Sequence, residues 1–175
     1  CEDALNLIRC SFKMKNSIIR NTYSDGFDAD FCTGTLTNCQ FLNTGNDCID
    51  FSGSKISINK CIINGSGDKG ISGGENSILT VEECTINNTS IGIAAKDFSV
   101  VNVNNTTISN STYAFAAYRK KAEFGPATIN AKSIKLNAVK NKFLIEMKSI
   151  VKLEGTEYIG SEIFDIDSMY MVFTK

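Results

Sequence analysis

The chain has 175 residues, with 19 acidic and 18 basic side chains and a formal net charge of -1. That balance leaves no global field to attract nucleic acid or an anionic membrane surface, and no apolar run is long enough to span a bilayer. Histidine and tryptophan are absent and proline occurs once, which excludes histidine-based metal sites and histidine general bases.

In chain order, Leu5-Asn6-Leu7 opens a series of similar slots. Phe27, Ile49, Ile71, Ile93 and Phe115 follow at intervals of 22 residues. Each is preceded by a small or apolar residue (Gly26, Cys48, Gly70, Gly92, Ala114) and followed by a short or polar one (Asp28, Asp50, Ser72, Ala94, Ala116). A fixed period of this size is the signature of stacked coils. Two further alternating stretches recur within each period. One reads Ile56-Ser57-Ile58, Leu79-Thr80-Val81 and Val101-Asn102-Val103, and the other carries Ile19, Phe41, Ile63, Ile86 and Ile108. Alternation of period two over a few residues predicts strands. Between the second and third stretch, Asn21, Asn43, Gly65, Asn88 and Asn110 mark a tight corner, because Asn and Gly tolerate the left-handed backbone.

Three short strands per 22 residues predict an all-β fold, a right-handed parallel β-helix of six to seven coils spaced by about 4.8 Å. The period loosens after Tyr118, where residues 119–126 form an irregular, charged excursion, and resumes at Ala127. Residues 154–175 are expected to cap the end, since an open β-helix end exposes unpaired edges. The whole chain, 1–175, is expected to be one domain. Cys1 falls inside the repeat, so a fragment or processed part of a longer chain is expected.

The seven cysteines suggest a disulfide set, but the period reads otherwise. Cys39, Cys61 and Cys84 share a slot with Ser17 and Thr106, so a stack of buried free thiols is expected. Cys10, Cys32 and Cys48 fit no evident pair. The Asn-X-Ser/Thr sequons fall largely on the corner ladder and are read as turn chemistry.

Acidic residues concentrate at one corner. Asp3, Asp25 and Asp47 fill one slot and Lys69 fills it in the next coil; Asp28 and Asp50 fill the outward slot, between Asn6 and Ser72. Asp30 and Asp68 lie nearby. Stacked carboxylates about 4.8 Å apart repel by about 1 kcal/mol in water and up to about 4 kcal/mol at surface-like dielectric, so a cation or Lys69 is expected to compensate. A Ca²⁺ site on Asp25, Asp28, Asp47 and Asp50, a catalytic carboxylate cluster and a solvated acidic stripe are the three readings of this pattern.

The run Asn21-Thr22, Asp25-Gly26-Phe27-Asp28, then GNDCIDFSG (45–53), GDKGISGGE (67–75) and GIAAK (92–96) resembles the motif order of polygalacturonases, right-handed β-helix hydrolases of pectin. Asp47 matches the second Asp of that pattern's Asp pair, but Asn46 stands where it has the first, Lys69 where it has a His, and Ala94 where it has an Arg. The same residues are similar to calcium-dependent pectate lyases, which bind Ca²⁺ through clustered Asp and use a Lys as base. The resemblance implies catalytic roles for Asp25, Asp47 and Lys69, substrate contacts by Asp68 and Lys96, and an acidic polysaccharide as partner. It implies an extracellular or cell-surface location. The expected function is therefore a polysaccharide-acting or polysaccharide-binding module. The alternative is a non-catalytic structural or surface β-helix for adhesion or display, with a solvated acidic ladder.

Overall fold

The structure is a computed structural model that describes residues 3–163. Cys1 and the expected capping segment from residue 164 onward lie outside the described residues. The described chain is a right-handed β-solenoid of about seven turns, with about 22 residues per coil. One wall stacks Leu5–Ile8, Phe27–Asp30, Ile49–Ser52 and Lys69–Gly74 in parallel, then continues into Thr85–Lys96, Thr107–Tyr118 and Asn141–Ile145. A second wall runs from Ser11–Lys15 through Thr33–Thr37 and Lys55–Asn59 to Ile150–Leu153, with Thr156–Ile159 added antiparallel at its end.

The register follows the period. Leu5 pairs with Phe27, Phe27 with Ile49, Ile49 with Ile71, Ile71 with Ile93, Ile93 with Phe115 and Phe115 with Phe143. Side chains alternate across a strand, so this slot points inward, and from Phe27 to Phe115 it is fully buried. Phe12, Phe27 and Phe51 pack edge to face at the start of that core, with Phe27 5.1 Å from Phe12 and 5.2 Å from Phe51 between ring centroids.

All three corners of a coil use left-handed backbone. The Asn slot behaves as expected, with φ of 55° at Asn21 and Asn43, 54° at Asn88 and 49° at Asn110, and 80° at Gly65. The other two corners reach the same region partly with Asn or Gly (φ 51° at Asn16, 53° at Asn38, 47° at Asn105 and 59° at Gly53) and partly with side chains that do not favour it. Phe31 has φ 54°, Lys60 54° and Glu83 52°. Ladder hydrogen bonds on either side impose these conformations, overriding local preference. In the later coils the Asn corner opens enough for two strands to merge into the 12-residue Thr85–Lys96 and Thr107–Tyr118.

Cys39, Cys61 and Cys84 are buried free thiols in the core. The Cys61 amide donates to Cys84 Sγ and the Cys84 amide to Thr106 Oγ1, both at 3.4 Å. A second ladder of this kind went unread in the sequence. Cys10, Cys32, Ser54 and Ser77 stack, and the side chains of Cys32, Ser54 and Ser77 each accept the backbone N–H of the residue one coil before, at 3.5, 2.8 and 3.0 Å in turn. Cys10 and Cys32 are therefore paired after all, as neighbours in register whose sulfurs lie 3.6 Å apart.

Candidate acidic site

The acidic corner is built by the same ladder logic. Asp3 Oδ1 accepts the Asp25 amide at 3.3 Å, Asp25 Oδ1 accepts the Asp47 amide at 2.8 Å, and Asp47 Oδ1 accepts the Lys69 amide at 2.9 Å. Asn46 Nδ2 also donates to Asp25 Oδ1, at 2.8 Å. Asp25 and Asp47, expected as catalytic carboxylates, thus accept backbone amides of the next coil. Burial pushes Asp25 above the usual carboxylate range, reinforced by Asp50 and Asp3 and opposed by the Asp47 amide and Asn46.

Lys69 is buried, and its ammonium donates to Asp47 Oδ1 at 3.4 Å and to Asp68 Oδ2. A lysine held by two carboxylates in the protein interior is an ion-pair partner, and this contact stands beside the base role that the motif resemblance implies. Asp68 is itself buried beneath that ammonium rather than presented to a ligand.

The second lysine makes a longer connection. Lys96 shares a register row with Gly74, and its Nζ reaches back two coils to Asp50, 3.4 Å from Oδ1 and 3.5 Å from Oδ2. Gly74 keeps that track open: a Cβ there would sit 3.3 Å from Lys96 Cε. Burial raises the Asp50 carboxyl, but Lys96 and then Lys69 outweigh it, so Asp50 is held below its ordinary value. Its side chain is 25% exposed while Lys96 is 5% exposed, so the carboxylate faces solvent and the lysine lies beneath.

Asp28 is the register neighbour of Asp50 on the preceding coil. It has no lysine. Asn6 Nδ2 donates to Asp28 Oδ2 at 2.8 Å. Burial, followed by repulsion from Asp30, Asp50, Asp3 and Asp25, pushes Asp28 up to about 7. Asp30 is raised as well, by burial and then by Glu75 and Asp50. Buried Asp47 is raised, with desolvation outweighing the pull of Lys69.

A carboxyl raised from 3.8 to about 7 binds a proton in the folded chain that the unfolded chain has already released. Between those pH values the unfolded state holds fewer protons, so stability falls as pH rises. The melting temperature is expected to be higher at about pH 5 than at about pH 8, and Asp28→Asn is expected to flatten that slope. A thermal melt across this range checks it, and stability rising steadily from acid to neutral pH would contradict the raised carboxyl.

Each of the four carboxylates expected to bind Ca²⁺ accepts a side-chain or backbone donor, and lysine ammoniums stand against Asp47 and Asp50. Among the described residues no group of three or more acidic or cysteine side chains is placed to hold a metal ion.

Beyond Ser72 the outward slot turns apolar. Ile91, Ala94, Ala116 and Tyr118 form a second buried cluster with Tyr113 and Leu144, separate from the interior core. Beside it, Asp97 Oδ1 accepts the Lys120 and Lys121 amides at 2.7 and 2.9 Å, which pins the 119–126 excursion to the corner of an earlier coil. Two cavities, of about 490 and 150 Å³, lie elsewhere, and neither is lined by an aspartate.

This fold and its outward carboxylate row define a right-handed parallel β-helix with an open acidic face. The chain belongs to the family described as right handed beta helix region, which matches residues 3–155. No curated protein matches the chain. Among solved structures, that of QnrB1, a plasmid-mediated fluoroquinolone resistance protein, is similar at 10% identity and a TM-score of 0.23, covering 79% of this chain and 91% of that one. At that level the likeness carries no argument about function. No helix among the described residues is long and apolar enough to cross a membrane.

Proposed function

We propose that this chain is a saccharide-acting β-helix module in which Asp28 and Asp50 work as a carboxyl pair on a glycosidic bond. The observation that carries this reading is their opposite electrostatic fate in adjacent register positions. Asp28 is pushed up to about 7, while Asp50 is held low by Lys96. Two titratable groups driven apart by their surroundings are the usual basis for dividing acid and base roles. Coil spacing of about 4.8 Å puts the pair near the separation of about 5–5.5 Å used by retaining glycosidases.

In that reading the Asp50 carboxylate attacks the anomeric carbon as the glycosidic C–O bond breaks. Asp28 gives its proton to the leaving oxygen. Asp28, now ionised, takes a proton from water, and that water cleaves the glycosyl ester and frees Asp50. Lys96 keeps Asp50 ionised from below and leaves its oxygens facing solvent.

The substrate this face suits is neutral. Six aspartates (25, 28, 30, 47, 50 and 68) stand against Lys69 and Lys96, both buried in ion pairs. Both lysines are committed to those carboxylates, so a uronate carboxylate would meet further acceptors rather than these cations, and the acidic polysaccharide implied by the motif resemblance is the poorer partner. A polysaccharide substrate places the protein outside the cell or at its surface.

The second reading, a non-catalytic display or adhesion solenoid, is favoured by the amide-capping role of Asp25 and Asp47. The two readings separate in one assay, release of reducing ends from neutral glucans, xylan and mannan. Asp28→Asn and Asp50→Asn are each expected to lower the rate by about 10²–10⁴-fold while leaving the chain folded. A folded wild-type protein inactive on every polymer would leave the display reading standing.

A further inference from the structure

The pairing of Cys10 with Cys32 has a chemical consequence. We propose that these two thiols form a reversible modification site, closed to a disulfide by small-molecule disulfides such as oxidised glutathione, which clasps the first coil to the second. Their sulfurs lie 3.6 Å apart. They occupy equivalent positions 22 residues apart on neighbouring coils, where backbones stack at about 4.8 Å, inside the Cα separation of about 4.4–6.8 Å that a disulfide accepts. Both side chains already share one slot, so closure needs the sulfurs to approach each other and no change of register.

Position makes the pair selective. Cys10 lies on the first described coil and is partly exposed, whereas Cys32, Cys39, Cys48, Cys61 and Cys84 are buried. The stack of Cys39, Cys61 and Cys84 has the same periodic arrangement but 1%, 1% and 2% exposure, so a reagent in solution cannot reach it without unfolding. Cys32 is flanked on its other side by Ser54, whose hydroxyl ends the chain of thiols.

The chemistry balances with one equivalent of oxidised glutathione. The Cys10 thiolate attacks a glutathione sulfur, its proton having passed to water, and one glutathione thiolate leaves. Cys32 sulfur then attacks Cys10 of that mixed disulfide, and the second glutathione leaves. The two cysteines lose two electrons, which the glutathione disulfide accepts, and dithiothreitol reverses the exchange. Attack by Cys10 is expected to accelerate toward alkaline pH, because its desolvated setting and the adjoining Cys32 raise its thiol above the ordinary value.

The effect falls on the first described coil. Leu5–Ile8, Ser11–Lys15 and Ile18–Thr22 each have a ladder partner on one side only among the described residues. A bond between Cys10 and Cys32 ties that coil to one paired on both sides.

The test treats the native full chain with oxidised glutathione without denaturant and reads mass, peptide map and hydrogen exchange. The expected product is lighter by about 2 Da, carries a single Cys10–Cys32 peptide link, and exchanges the Ser11–Lys15 amides more slowly until dithiothreitol is added. Cys10→Ser is expected to abolish the link and the slowing. Cys39→Ser is expected to leave both intact. Persistence of free thiols, arrest at the glutathione adduct, or a link joining any other cysteines would overturn the proposal.

Discussion

Lys69→Met is expected to destabilise the protein by about 3–5 kcal/mol, the cost of removing one partner from a buried ion pair. The side chains of Lys69, Asp47 and Asp68 are 3%, 2% and 8% exposed, so water cannot replace the lost ammonium. Two buried carboxylates would then face each other, and the second oxygen of Asp68 already lacks a hydrogen-bond partner among the described residues. The chain has two ways to respond, taking up a proton on Asp47, whose carboxyl burial already raises, or opening the corner to solvent. Both cost free energy, and the first makes the variant relatively more stable in acid. Urea unfolding at neutral pH measures the loss. Adding Asp68→Asn to Lys69→Met is expected to recover part of it, since the amide leaves one buried charge fewer. A loss below about 1 kcal/mol would mean that Lys69 is held for another purpose, such as the base role implied by the motif resemblance.

Phe27→Ala is expected to cost a similar amount, about 3–5 kcal/mol, for a different reason. Phe27 is fully buried and meets Phe12 and Phe51 at interplanar angles of 64° and 87°. Truncation removes the middle ring of three and leaves a cavity that adjacent coils cannot close, because their spacing is set by backbone hydrogen bonds. Phe31 is the internal comparison. It lies at a corner, 55% exposed, so Phe31→Ala is expected to cost well under the Phe27 value. Parallel urea titrations of both variants decide it, and equal losses would show that the inward slot is not the main store of stability.

The slots at 22-residue intervals were legible because packing inside a solenoid repeats the same steric demand in every coil. Phe27, Ile49, Ile71, Ile93 and Phe115 satisfy one demand, and Cys39, Cys61 and Cys84 another. The Asn corner was legible for a conformational reason, since Asn and Gly enter left-handed backbone at low cost. The remaining corners mix Asn or Gly (Asn16, Asn38, Asn105, Gly53) with Phe31, Lys60 and Glu83, which announce no positive φ, so their ladders are interrupted. The Cys10–Cys32 pair has the right spacing, but only two cysteines share its slot before Ser54 and Ser77 take it over, so the thiols form no extended series.

The candidate site was legible only as a concentration of charge. Asp25, Asp28, Asp47, Asp50 and Lys69 sit at one corner of successive coils, as the period implied. Their contacts were not legible and came from the structure. Asp25 and Asp47 accept amides, Lys69 is held between two carboxylates, and the carboxyl pair facing solvent is Asp28 with Asp50.

The sequence by itself determined the all-β class, the coil period, the inward and outward registers and the placement of the acidic row. Each of these sums many weak, repeated preferences along the chain, so the signal survives any single exception. The tertiary structure alone decided which carboxylates are neutralised. Asp50 and Lys96 are 46 residues apart and meet because a lysine side chain can cross the gap over a glycine that has none. That contact depends on the reach of one side chain and the absence of one Cβ two coils away, and a residue pattern read along the chain contains neither.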